Sequence, residues 1–478
     1  MSVTRRTLIA GAGALVLTSA SKVPIPESAA AAVPTQVSTG SIDITPPIGY
    51  PMAGYGTNAP RLATGTNEPL RARCTIIWDN GYPNVILTAD VLGFGPTMHQ
   101  QIRSAVIALG VTGSDFVLTA THTHNGPVLT EKLDPYISYN MTNLTAVTAF
   151  SNALVTKLVG LVQSVLAAPR TTCSLDYYVL DENFAYNREP VLANAPANNE
   201  RDVPVLVARD ETGTPRAVLF SYGSHPVAAS SLTLFDPDYP AQAIKEIEGA
   251  FAGAFAQFML GPAGDQDPIG NRNVATADAH GKDLGLTVAA AIGTPGRNVT
   301  GNIATSYSTV ALPLDITNTP TNLAAVRAAF QARANNTAAL GFQRRHAATM
   351  VSEIDTNSFA TSVSLPTQVW TIGGLSGLKI VFCGGEVVSG YARYLRNVYG
   401  GSQRLWFNAY SNEVPAYIPS DELLAQTGYA AGIDSDYPGI AGGSMSVYRY
   451  LGHFRRKPNP AAPNGVEQTL LNHLQAML

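Results

Sequence analysis

Phe116-Val117-Leu118-Thr119-Ala120-Thr121-His122-Thr123-His124-Asn125-Gly126-Pro127 is the stretch on which the reading of this chain turns. Its apolar opening predicts a buried strand, and Asn-Gly-Pro ends that strand and opens a loop, where functional groups tend to sit. Residues i and i+2 of a strand share a face. His122 and His124 are therefore expected to project together, as one metal ligand beside an acid/base group or as two ligands. The competing reading is a pair of histidines hydrogen-bonded within a turn, since a motif alone is weak.

The first 32 residues read as an export signal. Thr4-Arg5-Arg6-Thr7-Leu8-Ile9 is a twin-arginine pattern, followed by a short apolar core to about Ala20, Lys22, and the small residues Ala29 to Ala32. That core is too short and too rich in Gly and Ala for an anchor of ~20 residues, and no other segment is expected to cross a bilayer. The mature protein is expected in the periplasm or outside the cell, soluble or in peripheral contact with a membrane. Losing Arg5, Arg6, Lys22 and Glu27 changes the formal charge from −4 to −6, which gives no electrostatic footprint for nucleic acid. Cys74, Cys173 and Cys383 lack paired spacing, so a cysteine zinc cluster is excluded and at most one disulfide is expected. Oligomeric state is not legible.

Residues 33–478 read as a single domain without linker or repeat. Strand-like runs at Cys74–Trp78, Val85–Ala89, Phe116–Ala120, Val205–Ala208, Ala217–Tyr222 and Leu378–Cys383 alternate with helix-like Met98–Leu109, Ala146–Ala168, Pro240–Phe255 and His280–Ile292. The expected class is α/β, a mixed β-sheet core flanked by helices. Residues 313–365, with a polar helix-like stretch at Asn322–His346, read as an inserted cap or a lateral helix.

Two more strand ends carry candidate ligands. Phe220-Ser221-Tyr222-Gly223-Ser224-His225-Pro226 repeats the pattern of strand, imidazole and turn, and Ile380-Val381-Phe382-Cys383-Gly384-Gly385-Glu386 delivers a carboxylate. Glu386 serves equally well as the first residue of a helix over Val387–Val398. Two His and one Glu match a catalytic zinc site, which keeps one position for water or substrate. Asp238, in Asp236-Pro237-Asp238-Tyr239-Pro240, is placed to orient a ligand imidazole, whereas Asp236 reads as a turn residue. Asp265 and Asp267, in Gly264-Asp265-Gln266-Asp267-Pro268, are open between a turn and a functional role.

In order and spacing these pieces, from about Ser38 to Gly443, resemble the catalytic domain of the neutral/alkaline (non-lysosomal) ceramidases. The resemblance begins with Ile42-Asp43-Ile44-Thr45-Pro46-Pro47 and Met52-Ala53-Gly54-Tyr55. It continues through Leu70-Arg71-Ala72-Arg73, Leu87-Thr88-Ala89-Asp90 and the two-histidine block, then Gly223-Ser224-His225-Pro226, Asp238-Tyr239-Pro240, Ala263-Gly264-Asp265 and Gly385-Glu386. It implies Zn2+ held by His122, His225, Glu386 and Tyr417 (in Ala416-Tyr417-Ile418-Pro419). His124 would then shuttle a proton, while Tyr429 and Arg188 hold the carbonyl or oxyanion. The implied reaction is hydrolysis of N-acylsphingosine to sphingosine and a fatty acid.

Two departures stand out. Those relatives carry a serine beside the proline where this chain has Asp267, a carboxylate that offers a general base but adds charge near a developing oxyanion. Only ~35 residues follow Gly443, so their C-terminal immunoglobulin-like domain is expected to be absent. A zinc hydrolase of another N-acyl amide or ester is therefore the alternative reading. A binding protein without turnover is the third, against which the complete ligand set weighs.

Overall fold

Consecutive apolar positions, as in Val85-Ile86-Leu87 and Phe116-Val117-Leu118, are the mark of strands covered on both faces, and among the described residues they build three sheets of four or five strands, beside four two-stranded ones. The computed structural model describes residues 34–478 apart from 56–58, 131–142, 190–191, 193–194, 317–322, 375–376, 427–429, 435, 438–439, 443–449 and 458–463. The signal-like stretch and Tyr429 thus lie outside the described residues. Residues Pro34–Leu478 form one compact unit.

The first sheet has the order Phe116–Ala120, Tyr82–Ala89, Arg71–Asp79, Gln36–Asp43, Thr171–Thr172. The second runs Phe255–Leu260, Pro215–Tyr222, Asp202–Arg209, Ser174–Asp181, Arg297–Asn298, and the third Ile303–Pro313, Ser362–Ile372, Leu378–Cys383, Leu405–Asn408. Each sheet is antiparallel except for one pair. Phe116–Ala120 runs parallel to Tyr82–Ala89, Pro215–Tyr222 to Phe255–Leu260, and Leu378–Cys383 to Leu405–Asn408. The architecture is α/β with mixed sheets, as expected.

Alternation along the strands sorts side chains between two cores. Ile77, Ile86 and Val117 of the first sheet meet Leu206, Leu219 and Met259 of the second and Trp370, Ile380 and Trp406 of the third in one buried cluster. The opposite faces are covered by helices. Pro96–Ala108 and Thr145–Leu166 lie on the first sheet, Tyr239–Ala250 and Val274–Ile292 on the second, and Ser389–Val398 and Val466–Met477 on the third.

Three expectations change. Thr145–Leu166 is long and apolar enough to cross a membrane, against the expectation that no segment beyond the leader is. Its Leu154, Leu158, Leu161 and Val162 pack into the core while Thr148, Asn152, Thr156 and Lys157 face water, the two-sided pattern of a helix lying on a sheet. The helix read over Pro240–Phe255 stops at Ala250, because Gly253 takes a positive φ of 82° and Phe255 begins the next strand. The polar stretch Asn322–His346 falls in two packed helices, Leu323–Asn335 and Gly341–Asp355, inserted between paired strands. Asn336 separates them, its side chain accepting from Ala338 N at 3.0 Å in a local turn. Cys74, Cys173 and Cys383 are all buried and unpaired.

The loop after Phe255–Leu260 presses against the loop after Leu378–Cys383. A Cβ on Gly264 would stand 2.5 Å from the Glu386 carbonyl oxygen and 2.9 Å from the Val387 carbonyl carbon. Gly264→Ala should therefore cost about 1–3 kcal/mol, as overpacking against backbone does. Gly160→Ala, in the middle of Thr145–Leu166 with nothing within 4 Å, should stabilise by about 0.5–1 kcal/mol. Urea unfolding midpoints of the two variants check this; equal effects would contradict the close approach.

Candidate metal centre

Each candidate ligand follows the end of a strand from a different sheet: His122 after Phe116–Ala120, His225 after Pro215–Tyr222, and Glu386 after Leu378–Cys383. In all three cases that strand is one partner of its sheet's parallel pair. The neighbouring strand end then supplies support. The segment after Tyr82–Ala89 gives the Leu92 carbonyl to His122 Nδ1, and that after Phe255–Leu260 gives the Ala263 carbonyl to His225 Nδ1 at 2.7 Å. After Leu405–Asn408, the Ala416 carbonyl accepts from Glu386 N at 2.9 Å. The two-residue parallel bridge Glu386–Val387 with Tyr417–Ile418 sets Glu386 directly opposite Tyr417.

The two histidines do converge, but not through the pleat of a strand. The strand ends at Ala120, and His122 takes a positive φ of 63°, uncommon for a residue other than glycine, which marks a turn. The turn brings the rings of His122 and His124 to 4.9 Å, and that of His225 to 4.9 Å from His122 and 5.3 Å from His124. One ring nitrogen from each histidine falls within a common span of 4.8 Å.

Glu386 Oε2 lies 3.1 Å from His122 Nε2 and 3.4 Å from His225 Nε2, all three side chains being buried. Both Nδ1 atoms face carbonyl oxygens, so they carry the ring protons and each Nε2 presents a lone pair. Burial holds the His122 pKa below the ordinary imidazole range despite the pull of Glu386. Two lone pairs aimed at a carboxylate in a dry interior repel it, and a metal cation among them would turn that repulsion into attraction. Zinc with donors at about 2.0–2.1 Å in a tetrahedral shell sets them roughly 3.3 Å apart, the separation found here. The donor set fits that ion. The Tyr417 hydroxyl lies 3.4 Å from His225 Nε2, with its ring stacked on His225 at 14°.

His124 is held by its backbone rather than by its ring. A Cβ on Gly54, which has φ of +102°, would stand 2.6 Å from His124 Cα. Arg61 donates to the carbonyls of Ala53 and His124 and, at 2.7 Å, to Asn125 Oδ1. Both ring nitrogens of His124 are buried without a hydrogen-bond partner among the described residues. Burial, reinforced by His122 and His225, keeps its pKa well below the ordinary range.

Arg188 and Asp267 lie on the antiparallel bridge Ala185–Asn187 with Gln266–Pro268 and the residue that follows it. Arg188 reaches Asp267 Oδ1 at 3.2 Å and the Gly264 carbonyl at 2.8 Å, with its guanidinium 5.3 Å from the Tyr417 ring centroid. Arg272 pairs with the other oxygen of Asp267. Burial raises the Asp267 pKa, but Arg188, His225 and Arg272 together bring it below its usual value.

Two acidic residues have other tasks. Asp238 does not orient an imidazole: its carboxylate accepts from the N–H groups of Ala228, Ala229 and Tyr239, capping the helix Tyr239–Ala250, and backbone carbonyls hold the imidazoles instead. Asp265 accepts from Ser389 N at 2.7 Å, Ser389 Oγ at 2.9 Å and Asn187 Nδ2 at 2.6 Å, tying the Arg188 strand to the Glu386 loop. Asp236 accepts from Asn67 Nδ2 and Asp238 N, in keeping with a turn. Sequence reasoning missed Arg61 and Tyr410.

No family model and no curated protein sequence matches the chain. Among solved structures it is similar to neutral ceramidase from Pseudomonas aeruginosa, with a TM-score of 0.62 and 19% identity over 83% of this chain and 70% of that one. It is similar as well to a ceramidase complexed with C2, with a TM-score of 0.63 and 18% identity over 83% of this chain and 71% of that one. At such identity it is the fold that is shared: the chain has the neutral ceramidase fold.

Proposed function

We propose that this protein is a zinc-dependent amidohydrolase of the neutral ceramidase type, cleaving N-acylsphingosine into sphingosine and a fatty acid. The observation that carries the reading is the buried Glu386 carboxylate facing the Nε2 lone pairs of His122 and His225 at 3.1 and 3.4 Å. His122, His225, Glu386 and Tyr417 are the proposed ligands. Bound there, zinc would lower the pKa of the water it holds from about 15.7 toward ~7 and polarise an acyl carbonyl.

The remaining roles fall to this chain's own groups. His124, neutral and with both ring nitrogens unengaged, takes a proton from the attacking water and returns one to the leaving nitrogen as the C–N bond breaks. Arg188 and Tyr429 are proposed to steady the carbonyl oxygen as charge builds on it. Asp267 acts through Arg188 and Arg272, since both of its oxygens are paired with guanidinium groups. That ion chain, in place of a neutral serine, favours the second reading, a zinc hydrolase of another N-acyl amide or ester. Export by the twin-arginine route, with action in the periplasm or outside the cell on a lipid at a membrane surface or on a small amide, belongs to the same proposal. The reading includes a single domain over residues 33–478, with residues 313–365 inserted in it.

Purified protein should release sphingosine from a fluorescent N-acylsphingosine, lose the activity to a chelator and regain it with zinc. Turnover of short N-acyl amides or esters alone would select the second reading; no turnover of any of them by zinc-loaded protein would overturn both. His122→Ala and Glu386→Ala should each lose the metal together with activity. His124→Ala should retain zinc and fall in kcat by about 10²–10⁴, the usual worth of a positioned acid/base. Metal analysis of the three variants separates these roles, and full zinc occupancy in Glu386→Ala would refute the ligand set.

A further inference from the structure

Tyr410 has no part in the scheme above, yet four features set it apart. It is an aromatic residue with φ of +52°, a strained conformation of the kind that persists where function requires it. Its N–H donates to the Gly385 carbonyl at 3.0 Å and its carbonyl accepts from Ala120 N at 3.1 Å, so one peptide joins the segments that deliver Glu386 and His122. Its ring lies against His122 with centroids 4.4 Å apart and stands perpendicular to His225 at 6.1 Å. Its hydroxyl is buried with no hydrogen-bond partner among the described residues.

Among the described tyrosines, Tyr55 alone shares the last feature. Tyr177, Tyr222, Tyr239 and Tyr391 are as deeply buried, and each donates its hydroxyl to a backbone carbonyl: those of Ser402, Glu200, Ser224 and Pro419. A buried hydroxyl left unpaired forfeits the free energy of a hydrogen bond and calls for an explanation. A phenol hydroxyl so placed has a hydrogen-bond donor to offer.

We infer that the Tyr410 hydroxyl is a further substrate-contacting residue, a donor to the acyl oxygen of a ligand bound within the His122–His225–Glu386 cage. The inference rests on the metal reading of that cage. The strained backbone fixes the ring against His122, and the hydroxyl finds its partner only when an acyl group arrives. Because its partner comes with the ligand, the hydroxyl adds nothing to the stability of the free protein.

The test is Tyr410→Phe in the full chain, with acetohydroxamic acid as the probe of acyl-oxygen binding to zinc-loaded protein. The variant should hold one zinc per chain, and its metal-free form should melt no lower than wild type, since an unpaired polar atom has been removed. Its acetohydroxamate Kd should weaken roughly 10-fold or more, as expected for loss of a hydrogen bond to a charged oxygen. An unchanged Kd would overturn the inference. So would a lower melting temperature of the metal-free variant or failure to fold, either of which makes the hydroxyl structural. Wild-type protein that binds neither zinc nor the probe would remove the metal reading itself, an outcome distinct from a variant that equals a zinc-binding wild type.

Discussion

A carboxylate facing two imidazole lone pairs in a dry interior is the constraint on which the rest of this structure depends. Glu386, His122 and His225 are each about 1% exposed or less, so water cannot relieve the repulsion between their electron pairs. Removing a charged group from water costs several kcal/mol after relaxation, and lone pairs at 3.1 and 3.4 Å add to that cost. A divalent ion among the three groups would turn the repulsion between them into attraction and offset the cost of burying the carboxylate. The fold accordingly brings strand ends of its three larger sheets together around the three groups.

It does so by repetition. Three sheets, each with one parallel pair, aim the carboxyl ends of those pairs at one place, the position that parallel strands commonly lend to ligands. One strand of each pair leads to a candidate ligand and its neighbour to a carbonyl that holds it. Residues Ala409–Asn412 then stitch the three ends together: Ala409 N donates to Leu260 O, Ser411 N to Cys383 O, and the Tyr410 carbonyl accepts from Ala120 N. Close backbone approach at Gly264 and Gly54 leaves the loops no slack. Such over-determination is how a cage keeps its geometry while its donors repel one another.

Much of this was legible in the residues. Phe116–Ala120 and Leu378–Cys383 were read to the residue, because runs apolar at every position have few alternatives to a doubly covered strand. His122, His225 and Glu386 were found by their shared place after such runs. What was not legible depends on contacts distant in sequence. Gln36–Asp43 and Ser362–Ile372 mix polar and apolar residues and become strands through pairing. The turn at His122, rather than a pleat, makes the histidines converge. Asp238 resembled a partner for imidazole because proximity in sequence to His225 says nothing of which donors surround its carboxylate. Tyr410 could not be singled out, since an unpaired hydroxyl exists only relative to a folded interior.

X-ray absorption at the zinc edge, on protein reconstituted with one equivalent of the metal, tests the central claim most directly. The account predicts two imidazole nitrogens and two or more oxygens at about 2.0–2.2 Å, from His122, His225, Glu386 and Tyr417 or a water. Failure of Glu386→Ala to retain the metal would agree with it. A shell of three imidazoles unaffected by that substitution would make His124 a ligand and contradict the separation of roles argued here.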